Sequence, residues 1–111
     1  HGTNASVVFH HDGTHDFQSR ERVLSITSDN AGFCVWGERN LEDLRRTYNN
    51  VPDFMKPKKA GEKIAIFGEW CGPGIQRGTA INNIPNKIFA VFAFSNRLCR
   101  FVVVLPHSVF E

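Results

Sequence analysis

The stretch KIAIFGEWCGPGIQ, Lys63 to Gln76, constrains this chain more than any other. An apolar run leads straight into a glutamate, an aromatic residue and two glycines that bracket a proline. A buried strand therefore ends by presenting one carboxylate above a tight turn. With a side-chain period of two, Ala65, Phe67 and Glu69 fall on one face of that strand and Ile64 and Ile66 on the other. This places Glu69 at the mouth of an apolar pocket. Read purely structurally, the same residues are a strand end and a turn, with Gly72 and Gly74 supplying unusual backbone angles and Pro73 fixing one. The rest of the chain decides between the two.

A chain of 111 residues, 41% of them hydrophobic, fits one domain (1–111) with one core. Chains of this size bury roughly two-thirds of their unfolded surface. No apolar run approaches the ~20 residues of a membrane helix, so no membrane partner is expected. Cys34, Cys71 and Cys99 are odd in number and too far apart for a paired metal knuckle. Reduced thiols in a cytoplasmic protein fit them better than a disulfide framework, each as a small core residue. A net charge of +2 without a dense basic stripe neither announces nor excludes nucleic-acid binding. The first residue is His1, with no signal-peptide pattern, which suggests a processed protein or a segment of a longer one.

Along the chain, Ala5 to Phe9 reads as a strand and Asp12-Gly13 as a hairpin turn. The second strand is expected over Phe17 to Thr27, with Leu24 and Ile26 facing inward and Arg20 and Arg22 on the same parity, where an arginine needs a partner. Ser28-Asp29-Asn30 is turn chemistry, and the apolar segment Phe33 to Trp36 has no assignable role. From Asn40 the period changes, with Leu41, Leu44 and Tyr48 at helical spacing, Asn40 as N-cap and Glu42 and Asp43 in the first turn. Val51-Pro52 ends that helix, and Met55 to Gly61, with Lys56, Lys58 and Lys59, reads as an exposed loop. A polar connection, Thr79 to Asn86, precedes a strand from Lys87 to Phe94 whose even positions, Ile88, Ala90, Phe92 and Phe94, share a face. Ser95-Asn96 turns the chain into a last strand, Arg100 to Leu105. The sum is about five strands and one short helix, an α+β pattern built mainly of antiparallel sheet.

Motifs for dinucleotide, P-loop, zinc-protease and serine-hydrolase chemistry are missing from the sequence. His10, His11 and His15 cluster at the first turn, but His10 and His11 are adjacent in a strand and point to opposite faces. No metal-binding set is assigned to them.

Three separated pieces carry more weight together: HGTNAS from His1, FGEWCGPGIQ from Phe67, and KIFAVFAF from Lys87. In that order and spacing they resemble the ATP-dependent RNA ligases, the branch with phage and kinetoplastid editing ligases, within the covalent nucleotidyltransferase superfamily. The resemblance runs from His1 to about Phe94 and implies part of a nucleotidyltransferase (ATP-grasp-like ligase) domain. It implies ATP and Mg²⁺ as cofactors and RNA ends as substrate. His1, Gly2, Thr3 and Asn4 match residues close to the nucleotide, and Arg20, in QSRER, matches an arginine beside the nucleotide and the RNA end. Glu69 matches the carboxylate that accepts a hydrogen bond from the ribose, and Phe92 the aromatic that stacks on adenine. The chemistry suits these types, since a carboxylate is a strong acceptor for a ribose hydroxyl and an aromatic face is a platform for a base.

The departures have consequences of their own. The family's nucleophilic lysine falls two positions before His1, so no catalytic residue is assigned within these 111 residues and no self-adenylylation is expected of them alone. The later carboxylate and the lysine pair of the family are not found before Glu111, and Ala93 stands where the family commonly has Asp. A partial sheet would leave strand edges unpaired and favour self-association. Two other readings differ in kind: a catalytically dead nucleotide- or RNA-binding module, and a copper protein using the His1 amine and imidazole with His10 or His107.

Overall fold

The computed structural model describes residues 3–20, 22–71, 88–96, 100–102 and 109–110. Their elements run β1 (Thr3–His10), β2 (His15–Ser19), α1 (Phe33–Arg39), α2 (Leu41–Asn49), a 3-10 turn (Asp53–Met55), β3 (Lys63–Cys71), β4 (Ile88–Asn96), β5 (Arg100–Val102) and β6 (Val109–Phe110). All strand pairs are antiparallel, in the order β2-β1-β3-β4-β5, with β6 also on β4. The expected α+β class with a mainly antiparallel sheet is the class found. Gly72, Pro73 and Gly74, the Thr79–Asn86 connection, Cys99 and His107 lie outside the described residues, as do His1 and Gly2.

β1 and β2 form the expected hairpin. Gly13, at φ 87°, closes the turn by donating its N–H to His10 O over 3.0 Å, and Asp12 Oδ1 accepts from both the N–H and the hydroxyl of Thr14. Such side-chain closure is why Asp-Gly favours turns. Ala5, Val7 and Phe9 face Phe17 and the helices, paired across to Gly68, Ile66 and Ile64. Asn4, Ser6 and Val8 alternate to the opposite face beside Glu69, Phe67 and Ala65.

The second strand is shorter than its sequence suggests, ending at Ser19 and not at Thr27. The chain turns back on itself: Ser19 donates to Arg22 O and Leu24 to Phe17 O. The Arg22 guanidinium then clamps the following loop through Ser28 O, Ser28 Oγ and Asp29 O. Arg22 does find partners, but on the surface. Leu24 is buried as expected, whereas Ile26 is 68% exposed, because the period-two pattern ends with the strand.

The unassigned Phe33–Trp36 segment is the first turn of α1. Its N-terminal amides are met by Asp29, whose carboxylate accepts from Cys34 N at 2.7 Å and Val35 N at 3.0 Å. The expected helix follows as α2 and Asn40 stands at its N-cap position, but its side chain looks backward, donating to Trp36 O of α1. One residue thus ends the first helix and begins the second. Beyond α2, Met55 is buried, a correction to the exposed loop that starts only after it.

Both helices lie on one face of the sheet. Phe33 packs there against Phe17, Trp36, Trp70 and Phe89, with ring centroids 5.0–6.0 Å apart. Each large side chain fully buried contributes roughly 1.5–3 kcal/mol relative to exposure. Trp70 Nε1 meets its need for an acceptor at Ala31 O, 2.9 Å away, in a loop where Ala31 takes the left-handed φ of 51°. Gly37 lets α1 approach β2, since a Cβ there would collide with the Phe17 ring.

On β4 the even positions do not share a face. The register shifts between Phe67 and Gly68, which pair with Ala93 and Val91, so Phe92 is the extra residue of a bulge. Ala90 stays opposite Glu69 while Phe94 lies opposite Ile66, on the helix-covered side. A bulge inserts one residue and exchanges the faces of everything after it.

Candidate functional site

β3 runs unbroken past Glu69 to Cys71, so the glutamate stands inside a paired strand rather than at its frayed end. Asn4 of β1 is its register partner on one side and Ala90 of β4 on the other. Directly opposed residues share a face with Cβ atoms about 4.5–5.5 Å apart, so Asn4 and Glu69 form one polar row on the face away from the helices. Glu69 is half-buried and Asn4 exposed. Among the described residues neither side chain has a hydrogen-bond or ion-pair partner, so the carboxylate is available as an acceptor in a position held by two neighbouring strands.

The other residues singled out in the sequence are placed less uniformly. Arg20 is exposed and follows Ser19, the last β2 residue, which pairs with Ala5. It therefore adjoins the Asn4–Glu69 row, and its guanidinium has no partner among the described residues. Thr3 pairs with Trp70, and its hydroxyl accepts from Asn30 Nδ2 at 3.5 Å. Alternation thus turns Thr3 away from the face that carries Asn4. The backbone of Phe92 sits at the β4 bulge, two residues along from Ala90, and its side chain lies outside the described residues. Bulges are common beside functional sites because they redirect one side chain.

Cys71 is the neighbour of this row that sequence reasoning did not connect with it. It is buried, and its thiol lies 3.6 Å from Glu69 O. Burial, reinforced by the charge of Glu69, pushes its pKa up from 9.0. Burial does the same to Cys34, with Asp29 and Glu38 adding to it. Both thiols are free and protonated at neutral pH, as core cysteines.

A cavity of about 630 Å³ opens on the same sheet face, with Val8, Ala65 and Phe67 on its floor and Phe54, Pro57 and Lys63 around it. Glu69 does not line it. The glutamate stands two residues beyond Phe67, so the pocket expected beneath Glu69 lies further along the strand. Its signal in the sequence was the pair Ala65 and Phe67, apolar residues on a face that also carries Glu69.

At the first hairpin His10 Nε2 lies 2.8 Å from Asp16 Oδ2 and His15 Nε2 lies 2.6 Å from Glu38 Oε1. These histidines tie strand to strand and sheet to helix. Among the described residues no group of three His, Cys, Asp or Glu could hold a metal ion.

The sequence model of the RNA ligase family matches residues 1–104. The chain belongs to the RNA ligase family. A comparison with the curated proteins finds no match. Within this ligase chain the motif residues Asn4 and Glu69, 65 positions apart by number, are brought side by side by the pairing of β1 with β3. Among its described residues no helix is long and apolar enough to cross a membrane.

Proposed function

We propose that this protein is an ATP-dependent RNA ligase, which joins RNA 5′-phosphate and 3′-hydroxyl ends through enzyme-AMP and RNA-adenylate intermediates. The observation that carries the reading is the half-buried Glu69 carboxylate, unpartnered among the described residues and flanked by Asn4. A carboxylate so placed accepts hydrogen bonds strongly and suits a ribose hydroxyl. Two paired strands hold it, so little order has to be created on binding.

In this reading a lysine amine attacks the α-phosphorus of ATP, a P–N bond forms and pyrophosphate leaves. An oxygen of the RNA 5′-phosphate then attacks that phosphorus, forming the RNA-adenylate and returning the lysine. Finally the RNA 3′-hydroxyl attacks the RNA 5′-phosphorus, and AMP leaves with the electron pair of the broken P–O bond. Glu69 orients the ribose, Asn4 lies beside it, and Phe92, on the redirected segment of β4, offers the adenine a stacking face. Arg20, at the edge of the row, reaches toward phosphate. His1 and Gly2 belong to the same motif, while Thr3 holds its strand to the Asn30 loop. In the family pattern the lysine stands two positions ahead of His1, beside the residues that position the nucleotide.

Mg²⁺, when bound, offsets phosphate charge. The described residues present no three-ligand cluster for it, and magnesium commonly rests on substrate phosphates with only one or two carboxylates.

The test is incubation of the protein carrying that lysine with α-labelled ATP, followed by denaturing electrophoresis. Covalent AMP is expected. Its absence sinks the reading, and ATP affinity without an adduct in that protein identifies a nucleotide-binding module instead.

A further inference from the structure

The cavity at Val8, Ala65 and Phe67 is not used by the proposed chemistry. It lies on the same sheet face as Glu69, but Ala65 is four residues back along β3, about 13 Å at the rise of a strand. That is too far for the ribose contact and about right for a neighbouring part of a polymer.

Its walls are chemically mixed in an informative way. The floor is apolar, and Phe54 stands at the mouth 69% exposed, among the most exposed large apolar side chains described. Gln18 also lines the cavity, with a side-chain amide that has no hydrogen-bond partner among the described residues. Between Asp53 and Lys63 there are four lysines and two carboxylates. Asp53 is occupied by Lys58, 2.6 Å away, and Glu62 Oε1 accepts the backbone N–H groups of Lys58 and Lys59. Lys56 lies over the Tyr48 ring and donates to Asn49 O. The ammonium groups of Lys59 and Lys63 have no carboxylate partner among the described residues. Of these two, Lys63 lines the cavity. An exposed aromatic, an amide able to donate and accept, and an uncommitted cation are elements by which an unstacked base and its flanking phosphate are held. A volume of about 630 Å³ is within the usual range for small-ligand sites and leaves room for a base.

We propose that this cavity takes an unpaired nucleotide of the RNA strand, its base against Phe54 and Phe67 and its phosphate toward Lys63. The site is separate from the ATP site and rests on RNA being the substrate. It gives the strand a second point of attachment on the sheet face that presents Glu69. A duplex end would not enter the cavity without unpairing, so the site favours single-stranded segments.

The experiment is fluorescence anisotropy of a labelled single-stranded oligoribonucleotide, and of the same strand in a blunt duplex, with the full-length protein and its variants. Phe54→Ala is expected to weaken single-strand binding about tenfold, within the range for loss of one stacked base, and Phe54→Tyr to restore it. Lys63→Gln is expected to weaken binding and to reduce the salt slope by about one. Duplex binding should change little with Phe54→Ala. Both side chains are exposed, so the variants keep the core intact. Unchanged single-strand affinity in Phe54→Ala and Lys63→Gln overturns the proposal. So does loss of concentration-dependent self-association with RNA affinity intact, which would make the groove a contact between copies. Covalent AMP formation is read in parallel and should be the same in all variants. A normal AMP adduct with unaltered RNA binding defeats this site alone, whereas no adduct in any variant defeats the ligase reading.

Discussion

Glu69 is the residue on which the proposed chemistry turns. Glu69→Ala should weaken ATP binding about 10- to 100-fold, the equivalent of one charge-assisted hydrogen bond, without a comparable loss of stability, because the side chain has no partner to lose among the described residues. Equilibrium binding of ATP alongside a urea melt separates the two effects. A second residue-scale outcome concerns pH. Bonds from the Thr14 hydroxyl and N–H hold the Asp12 carboxyl below 3.8. A depressed carboxyl stabilises the folded state above its unfolded pKa and stops doing so as pH falls through the folded value. The hairpin contribution should therefore be full at pH 5 and above, and decline below about 3.8. An acid titration in which Asp12→Ala shows the same low-pH profile as the parent protein would count against it. The motifs that carry Asn4 and Glu69 stand out in the sequence because they are local strings. The orientation of Thr3 does not, because it depends on what lies across the strand.

At the scale of elements, α1 was the one missed. Its sequence FCVWGER packs four apolar residues at its start, so no helical stripe stands out, and its N-terminus is satisfied by Asp29 from outside the helix. Asp29→Ala should cost about 1–2 kcal/mol, the range for losing a helix cap, read from the urea midpoint at unchanged slope. Gly37→Ala should cost about 1–3 kcal/mol by forcing the Phe17 ring aside. α2 was read correctly since Leu41, Leu44 and Tyr48 repeat at helical spacing. β2 was overextended because Leu24 and Ile26 continue the alternation after the backbone has already turned at Ser19.

At the scale of the molecule, the proposed function links ATP binding to folding. ATP at a hundred times its Kd should add about 2.7 kcal/mol of stability, seen as a rise in melting temperature, and the 10- to 100-fold weaker binding of Glu69→Ala should cut that to about 0.4–1.4 kcal/mol at the same concentration. Sheet edges set the second expectation, concentration-dependent self-association, for which a strict monomer at high concentration in size-exclusion chromatography is the contrary result. The outer edge of β2 is already partly closed by Ser19 and Leu24, which bond to Arg22 O and Phe17 O.

What the sequence determined by itself was local or periodic: the Asp12-Gly13 turn, the α2 stripe, the alternation of β3, and the short motifs that mark an RNA ligase. Physical chemistry makes those visible, since each depends on residues within a few positions of one another. Tertiary structure decided the rest. It set Asn4 beside Glu69, shifted β4 by one residue at Phe92 and so reversed the faces beyond it, and covered one side of the sheet with aromatic side chains from α1. Register and packing depend on residues far apart in the chain, and no local pattern encodes them.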